Sequence, residues 1–529
     1  MIDLRQAKRI AVIGGGTAGW FAALSLRRIF SPAVEILVLE DPNKGIIGVG
    51  EGGLLNFVQA LHRNQIDIDE FVRETGAAFK LGFAYEGWRS GGRQDLYYHL
   101  FPMVGEQVNE LEFVAFGIMP LLAARVSAGA DLHSFFPGFS LIADNASQLE
   151  ARAVLATKRS GIAPSYHFDS YKVANYLKTI AQKRGIRARQ AKVDKLLLTP
   201  EGLTYALQAD GEEIPVDFVV DASGLRRIGI GETYKEKWRS FSDYLILDRA
   251  LPFHMPHPAR NPALVTRAIA MDSGWMWQIP LQERVGAGYV FSSKHISEEN
   301  ARREAERYVG HSIEPQPIIQ FEPGNFERVW RNNVVAVGLA SGFVEPLEAT
   351  SIGQMLEELR NIEKILIDGR GVIGFNTIDS FNRSNHASWN GICDFLRMHY
   401  DGGRQDTRFW RDVLKLPRSD RYQELRACFD HRLPRMMDIE NYVGNGWAPI
   451  FHMVNWLLVG APLDVVTRRA GASELLGLPA NMREQMAPYM AQLQNAANIG
   501  RNSINDFQDA ALVRQVIAGQ QGNADFNQR

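Results

Sequence analysis

Gly14-Gly15-Gly16-Thr17-Ala18-Gly19 forms a G-x-G-x-x-G run near the start of the chain, and Glu40 lies further on in VEILVLE. Glycines let a backbone turn tightly and approach a pyrophosphate, a following helix offers free N–H donors, and a carboxylate at that distance can take ribose hydroxyls. Gly14, Gly16, Thr17, Ala18, Gly19 and Glu40 are therefore candidate dinucleotide-binding residues. A second group is Trp275 and Trp277, within SGWMWQIPL. Residues two apart on a strand point the same way, so the two indoles would build one bulky wall.

The elements that must position these residues are legible nearby. RIAVI (9–13) reads as a buried strand, WFAALSLRRIF (20–30) as an amphipathic helix and VEILVLE (34–40) as a second strand. This β-α-β unit predicts a doubly wound parallel sheet. FDSYKVANYLKTIAQKRG (168–185) has an Asp/Ser cap and a helical period, and 244–293 alternates like an antiparallel sheet. NVVAV (333–337) is a buried strand leading into a helix over about 351–368, and from about 379 the chain reads as mostly helical. The polar end, NADFNQR, is expected to fray. The fold class is α/β: a Rossmann-like module with an inserted antiparallel sheet over 1–378, and a mainly helical pocket-forming region over 379–529.

Composition excludes several function classes. Fifty-eight Lys and Arg against 60 Asp and Glu give a formal net charge of -2, so no basic field points to nucleic acid or an anionic membrane. Cys393 and Cys428 are too few for a disulfide framework or a cysteine-built zinc site, and no metal site is expected. The apolar run over 113–124 falls well short of the ~20 residues needed to span a bilayer, and the N-terminus lacks a signal-type apolar region. A cytoplasmic enzyme is the expectation.

NAD and FAD both use the glycine unit, so later segments decide between them. VDFVVDASG (216–224) resembles the strand and turn by which FAD-dependent oxygenases return to the dinucleotide fold. VVAVGLASGFVEP (334–346) resembles their later strand, whose following helix points at the flavin ring and can stabilise negative charge there. FAD is the preferred cofactor.

GGGTAGW (14–20), GVGEG (48–52), FKLGFAYEGW (79–88), YYHLF (97–101), DASG (221–224), GWMWQIP (274–280) and GFVEPLEATSI (342–352) together resemble the flavin-dependent tryptophan halogenase family. The resemblance implies that FADH2, supplied by a separate flavin reductase, reacts with O2 and a halide ion, chloride or bromide, to give hypohalous acid. The Trp275/Trp277 wall then keeps organic molecules from the flavin. It implies that Lys80 captures the hypohalous acid, by hydrogen bonding or as a haloamine, and that Glu348 stabilises the cationic ring and takes its proton, with Glu345 as an alternative or structural acid. It further implies flavin contacts at Val49, Gly52, Leu339 and Ile352, and halide binding at Thr350 and Ser351.

For the small aromatic substrate, the resemblance implies His99 and Phe101 as ring-facing residues, with Trp447 or Trp456 supplying the opposite face. Ser351 stands where the family has glycine, GEGG (50–53) where it has a GEAT-type turn, and Tyr442 is single where the family has a tyrosine pair. These departures leave room for indole, a substituted indole, a phenol or a larger metabolite beside tryptophan. The competing enzymatic reading is a flavin-dependent aromatic hydroxylase. A non-catalytic flavin-binding protein is a third reading, and a homodimer is possible.

Overall fold

The computed structural model describes residues 1–45, 48, 50–92, 94–103, 118–158, 160–257, 261–444, 446–478 and 480–481. Arg9–Ile13, almost entirely buried, forms the centre of a six-stranded sheet because its apolar run is covered on both faces. It pairs in parallel with Glu35–Glu40 on one side and Phe218–Asp221 on the other. Val334–Ala336 and Arg187–Gln190 extend the parallel sheet, and Trp330–Arg331 closes one edge antiparallel. Helix Thr17–Ile29 buries Trp20, Phe21, Leu24 and Leu26 against this sheet. These elements agree with the β-α-β reading to within a few residues.

A second sheet has seven strands, running from Ile319–Gln320 through Arg249–Met255, Val285–Phe291, Gly274–Pro280, Thr266–Met271 and Gly82–Glu86 to Leu96–Leu100. The expected antiparallel segment supplies four of them, and Thr266–Met271 pairs in parallel with Gly82–Glu86. A small sheet places Ser165–Phe168 between Glu51–Gly52 and Ala78–Lys80.

Helix Phe375–His399 crosses the boundary expected at 378/379 without a break. Its buried face runs from Ile378 to His399 through the polar Asn382, Asn385 and Ser388, and one hydrophobic core joins Phe395, Leu396 and Trp456 to Phe83, Tyr85, Trp275 and Trp277. A second core lies around the six-stranded sheet. No helix among the described residues is long and apolar enough to cross a membrane. The expected fraying tail, and residues 113–117 of the apolar run, lie outside the described residues.

Candidate active site

The glycine turn opens a groove of about 630 Å³ lined by Gly14, Gly16, Thr17, Ala18, Glu40, Leu339 and Ile352. Gly14 has φ +114, and a Cβ there would overlap the carbonyl of Ala222. Gly16 has nothing within 4 Å of its Cβ position, so the backbone is open to the groove. A Cβ on Gly19 would overlap the carbonyl of Gly14, so this glycine serves the close approach of helix to turn. Glu40, at the end of its strand, is paired with Lys178. This cradle, with a helix N-terminus at its floor, fits the diphosphate and ribose of a dinucleotide.

A largely apolar cavity of about 180 Å³ continues from the groove, sharing Glu51, Leu225, Leu339, Ser351 and Ile352 with it. Trp275 and Trp277 line this cavity together with Phe83, Gly52 and Glu348. Their ring centroids stand 6.3 Å apart at 61°, so they form a broken wall rather than a stack. Glu51 is half-buried at the junction, where desolvation raises its carboxyl to about 7. Val49 lies outside the described residues.

Lys80 ends the strand Ala78–Lys80, and its ammonium position is fully buried with no hydrogen-bond partner. Nζ sits 3.9 Å from the centroid of Phe83 and 5.3 Å from that of Phe101. Burial pulls the amine down to about 7, against the opposing attraction of Glu348. A Cβ on Gly52 would lie 2.7 Å from Lys80 Nζ. The lysine therefore reaches across the central strand of the small sheet and fills the space that a side chain at Gly52 would take. Gly52 lines the cavity bordered by the two tryptophans, and it also serves as the bed of the lysine.

Glu348 and Ala349 sit at φ 65 and φ 53, two consecutive left-handed residues without glycine. Such a turn costs of order 1–3 kcal/mol per residue and persists only where the surroundings hold it. What holds it is visible. Tyr85 donates its hydroxyl to Glu348, His99 Nδ1 lies 2.8 Å from both carboxylate oxygens, and His399 Nε2 lies 3.3 Å away. Burial pushes the carboxyl up, but His99 and His399 outweigh it and hold Glu348 well below the usual carboxylate range. The same burial pulls His399 down.

The turn delivers the chain into helix Thr350–Asp368, which has no side-chain cap. The hydroxyls of Thr350 and Ser351 at its first turn are buried and unpartnered. Free N–H groups and the helix dipole make this end suited to a small anion.

His99 and Phe101 are both buried with ring centroids 6.5 Å apart, and Phe101 stands beside the lysine. His99 Nε2 is 2.9 Å from the amide of Asn455. Trp447 stands elsewhere. It packs on Phe381 in the nucleotide-side core, because Ala448 N donates to Glu357 and Arg360 donates to the carbonyl of Gly446, tying this segment to helix Thr350–Asp368. The aromatic layer beside His99 comes instead from Phe395, which stacks on Phe451 and meets the edge of Trp456. Tyr85, His399 and Asn455 were not singled out from the sequence. Strand alternation could have found Tyr85, since Phe83 pairs with His99 and Tyr85 with Tyr97 on one face. His399 and Asn455 come from distant helices and carry no local signal.

Residues 9–474 match the family model described as tryptophan halogenase. The chain is 44% identical over 494 residues to the uncharacterized protein y4xG of Sinorhizobium fredii (strain NBRC 101917 / NGR234), covering 93% of this chain and 97% of that one. It is 31% identical over 474 residues to tryptophan 7-halogenase KtzQ of Kutzneria sp. (strain 744), covering 84% and 86%. Among solved structures, a flavin-dependent halogenase from Brevundimonas sp. BAL3 superposes with a TM-score of 0.76 at 27% identity, over 97% of this chain and 99% of that one.

Proposed function

The chain belongs to the tryptophan halogenase family, and from that premise we propose that it halogenates an electron-rich aromatic ring of the indole type, using FADH2, O2 and chloride or bromide. It is a flavin-dependent halogenase. Gly14, Gly16, Thr17, Ala18 and Glu40 would hold the nucleotide of FAD, with Leu339 and Ile352 toward its ring. When bound and reduced, the flavin supplies the electrons with which O2 turns halide into hypohalous acid. A separate flavin reductase delivers it reduced.

The chain's own residues then divide the work. Thr350 and Ser351 hold the halide at an uncapped helix start. The neutral amine of Lys80 takes halogen from hypohalous acid: an N–X bond forms, the O–X bond breaks, and the amine's proton leaves with hydroxide as water. An aromatic carbon then attacks the halogen, and Lys80 is restored when its nitrogen recovers a proton. Glu348, ionised and buried beside this path, stabilises the cationic ring and accepts the proton that the ring loses.

The single observation that carries this reading is a buried, unpartnered lysine within electrostatic reach of a strained, histidine-held carboxylate that lines the tryptophan-walled cavity. The test is a panel of indoles, tryptophan and phenols given reduced FAD, O2 and either bromide or chloride, followed by mass spectrometry. A halide-dependent isotope pattern on an indole-type ring is expected. Oxygenated product that forms equally without halide would replace this reading with an aromatic hydroxylase.

A further inference from the structure

The two glutamates of the 345–349 loop are met by consecutive residues at the end of helix Phe375–His399. His399 faces Glu348, and Tyr400 donates its hydroxyl to Glu345 Oε2 at 2.6 Å. The same oxygen accepts the indole N–H of Trp275 at 2.6 Å. Glu345 is buried, and its other oxygen, Oε1, has no partner. Trp277 differs, since its indole nitrogen is unpartnered and its ring rests in the space that a side chain at Gly288 would fill. One member of the wall is thus held by a directional bond and the other by packing against it.

A buried carboxyl is an expensive way to satisfy an indole. This chain solves the same problem with backbone carbonyls elsewhere: Trp88 donates to Ala268 and Trp410 to Met271. At Trp275 it uses an acid that lies three residues from Glu348 and on the loop leading to Thr350. The bond therefore ties the flavin-side wall to the loop that presents the ring-side carboxylate and the anion site. The cavity of about 180 Å³ that Trp275 borders is the space into which its indole would turn once released, with Ala250 and Ala268 as the small residues of the lining.

We propose that Glu345 is the positioning residue of the indole wall, and that by fixing Trp275 it keeps oxidising equivalents on halide and off organic molecules in the flavin-side cavity. This rests on the function proposed above. With the wall released, a small aryl thioether such as thioanisole can enter and be oxygenated. Reduced FAD and the sulfur each give two electrons to O2, the O–O bond breaks, one oxygen bonds to sulfur, and the other leaves as water with the two flavin hydrogens.

The test compares the wild type with Glu345→Gln, Glu345→Leu and Trp275→Phe, each loaded with FAD. It reads the fluorescence of bound oxidised FAD, which an adjacent indole quenches. It also reads sulfoxide from thioanisole against bromination of indole, with and without bromide. Glu345→Leu is expected to brighten the flavin, to form sulfoxide, and to lower brominated product per reduced flavin by about tenfold, as a misplaced positioning group does. Glu345→Gln keeps an oxygen able to accept both bonds and is expected to recover most of that loss. Trp275→Phe, which cannot donate, is expected to form sulfoxide as Glu345→Leu does, and it carries the test should the leucine variant fail to fold.

A leucine variant that brominates indole with wild-type flavin fluorescence and no sulfoxide overturns the proposal, as does a glutamine variant no better than leucine. A Trp275→Phe variant that stays at wild-type sulfoxide levels overturns it too. A wild type that forms no halide-dependent product overturns the function reading itself, and this result is distinguishable because it appears before any variant is compared.

Discussion

Lys80 is a burden on the fold that the proposed chemistry would explain. A buried amine without a hydrogen-bond partner is costly, so Lys80→Met is expected to remove halogenation, keep FAD binding, and stabilise the protein by about 1–3 kcal/mol in urea unfolding. The same burial sets the pH response. The amine titrates at about 7, and in the proposed mechanism its neutral form takes the halogen, so product formation is expected to fall as pH drops from about 8 to about 6. Glu348 is ionised over that whole window and adds no limb of its own. Glu345 also titrates at about 7, so the profile should be repeated in Glu345→Gln, where the acid limb is expected to persist. A flat profile in the wild type would remove the neutral amine from the mechanism. At this scale the sequence singles out a residue where it sits in a distinctive motif, as Lys80 and Glu348 do, and the structure buries both. The sequence is silent on Tyr85, His399 and Asn455, whose roles arise only when separate elements converge.

The small sheet formed by Glu51–Gly52, Ser165–Phe168 and Ala78–Lys80 joins the flavin side to the ring side. Its central strand carries His167, which binds Thr266 Oγ1 at 2.9 Å and whose own titration is pushed well down, first by burial and then by the neighbouring Lys80. Because Lys80 occupies the space above Gly52, Gly52→Ala is expected to displace the amine and cut halogenation by at least about tenfold while FAD still binds. Product formation measured beside FAD titration checks this, and unchanged turnover would show that the lysine can act from another position. The glycine turn, the central strands and the helix starting at Thr350 were readable from periodicity and turn chemistry. The three-stranded sheet was not, because strands of two to four residues leave too little pattern to detect.

The two cores meet rather than separate. Phe79 packs against both, and helix Phe375–His399 threads from the nucleotide side at Phe381 to the ring side at Phe395 and His399. Severing the chain between 378 and 379 is therefore expected to yield no folded C-terminal half, as judged by the absence of a cooperative melt and of dispersed amide signals. A fragment that melts cooperatively would restore the boundary that composition suggested. Trp447 illustrates why sequence could not assign the far wall: its neighbours are decided by how residues 446–448 dock on Glu357 and Arg360, a contact across some ninety positions.

One buried acid on helix Thr350–Asp368 has a further consequence. Glu358 accepts Gly338 N at 2.8 Å and the Ser341 hydroxyl, so the turn that brings Leu339 to the nucleotide groove is gripped from the helix whose first residues form the proposed halide site. Those two contacts are separated by a fixed number of residues on one rigid rod. Inserting a single residue between Ser351 and Glu358 would advance the acid by about 1.5 Å and swing it by roughly 100°. Cofactor groove and proposed halide seat are therefore kept in phase by helix pitch, and an insertion among the six residues between Ser351 and Glu358 would break that phase.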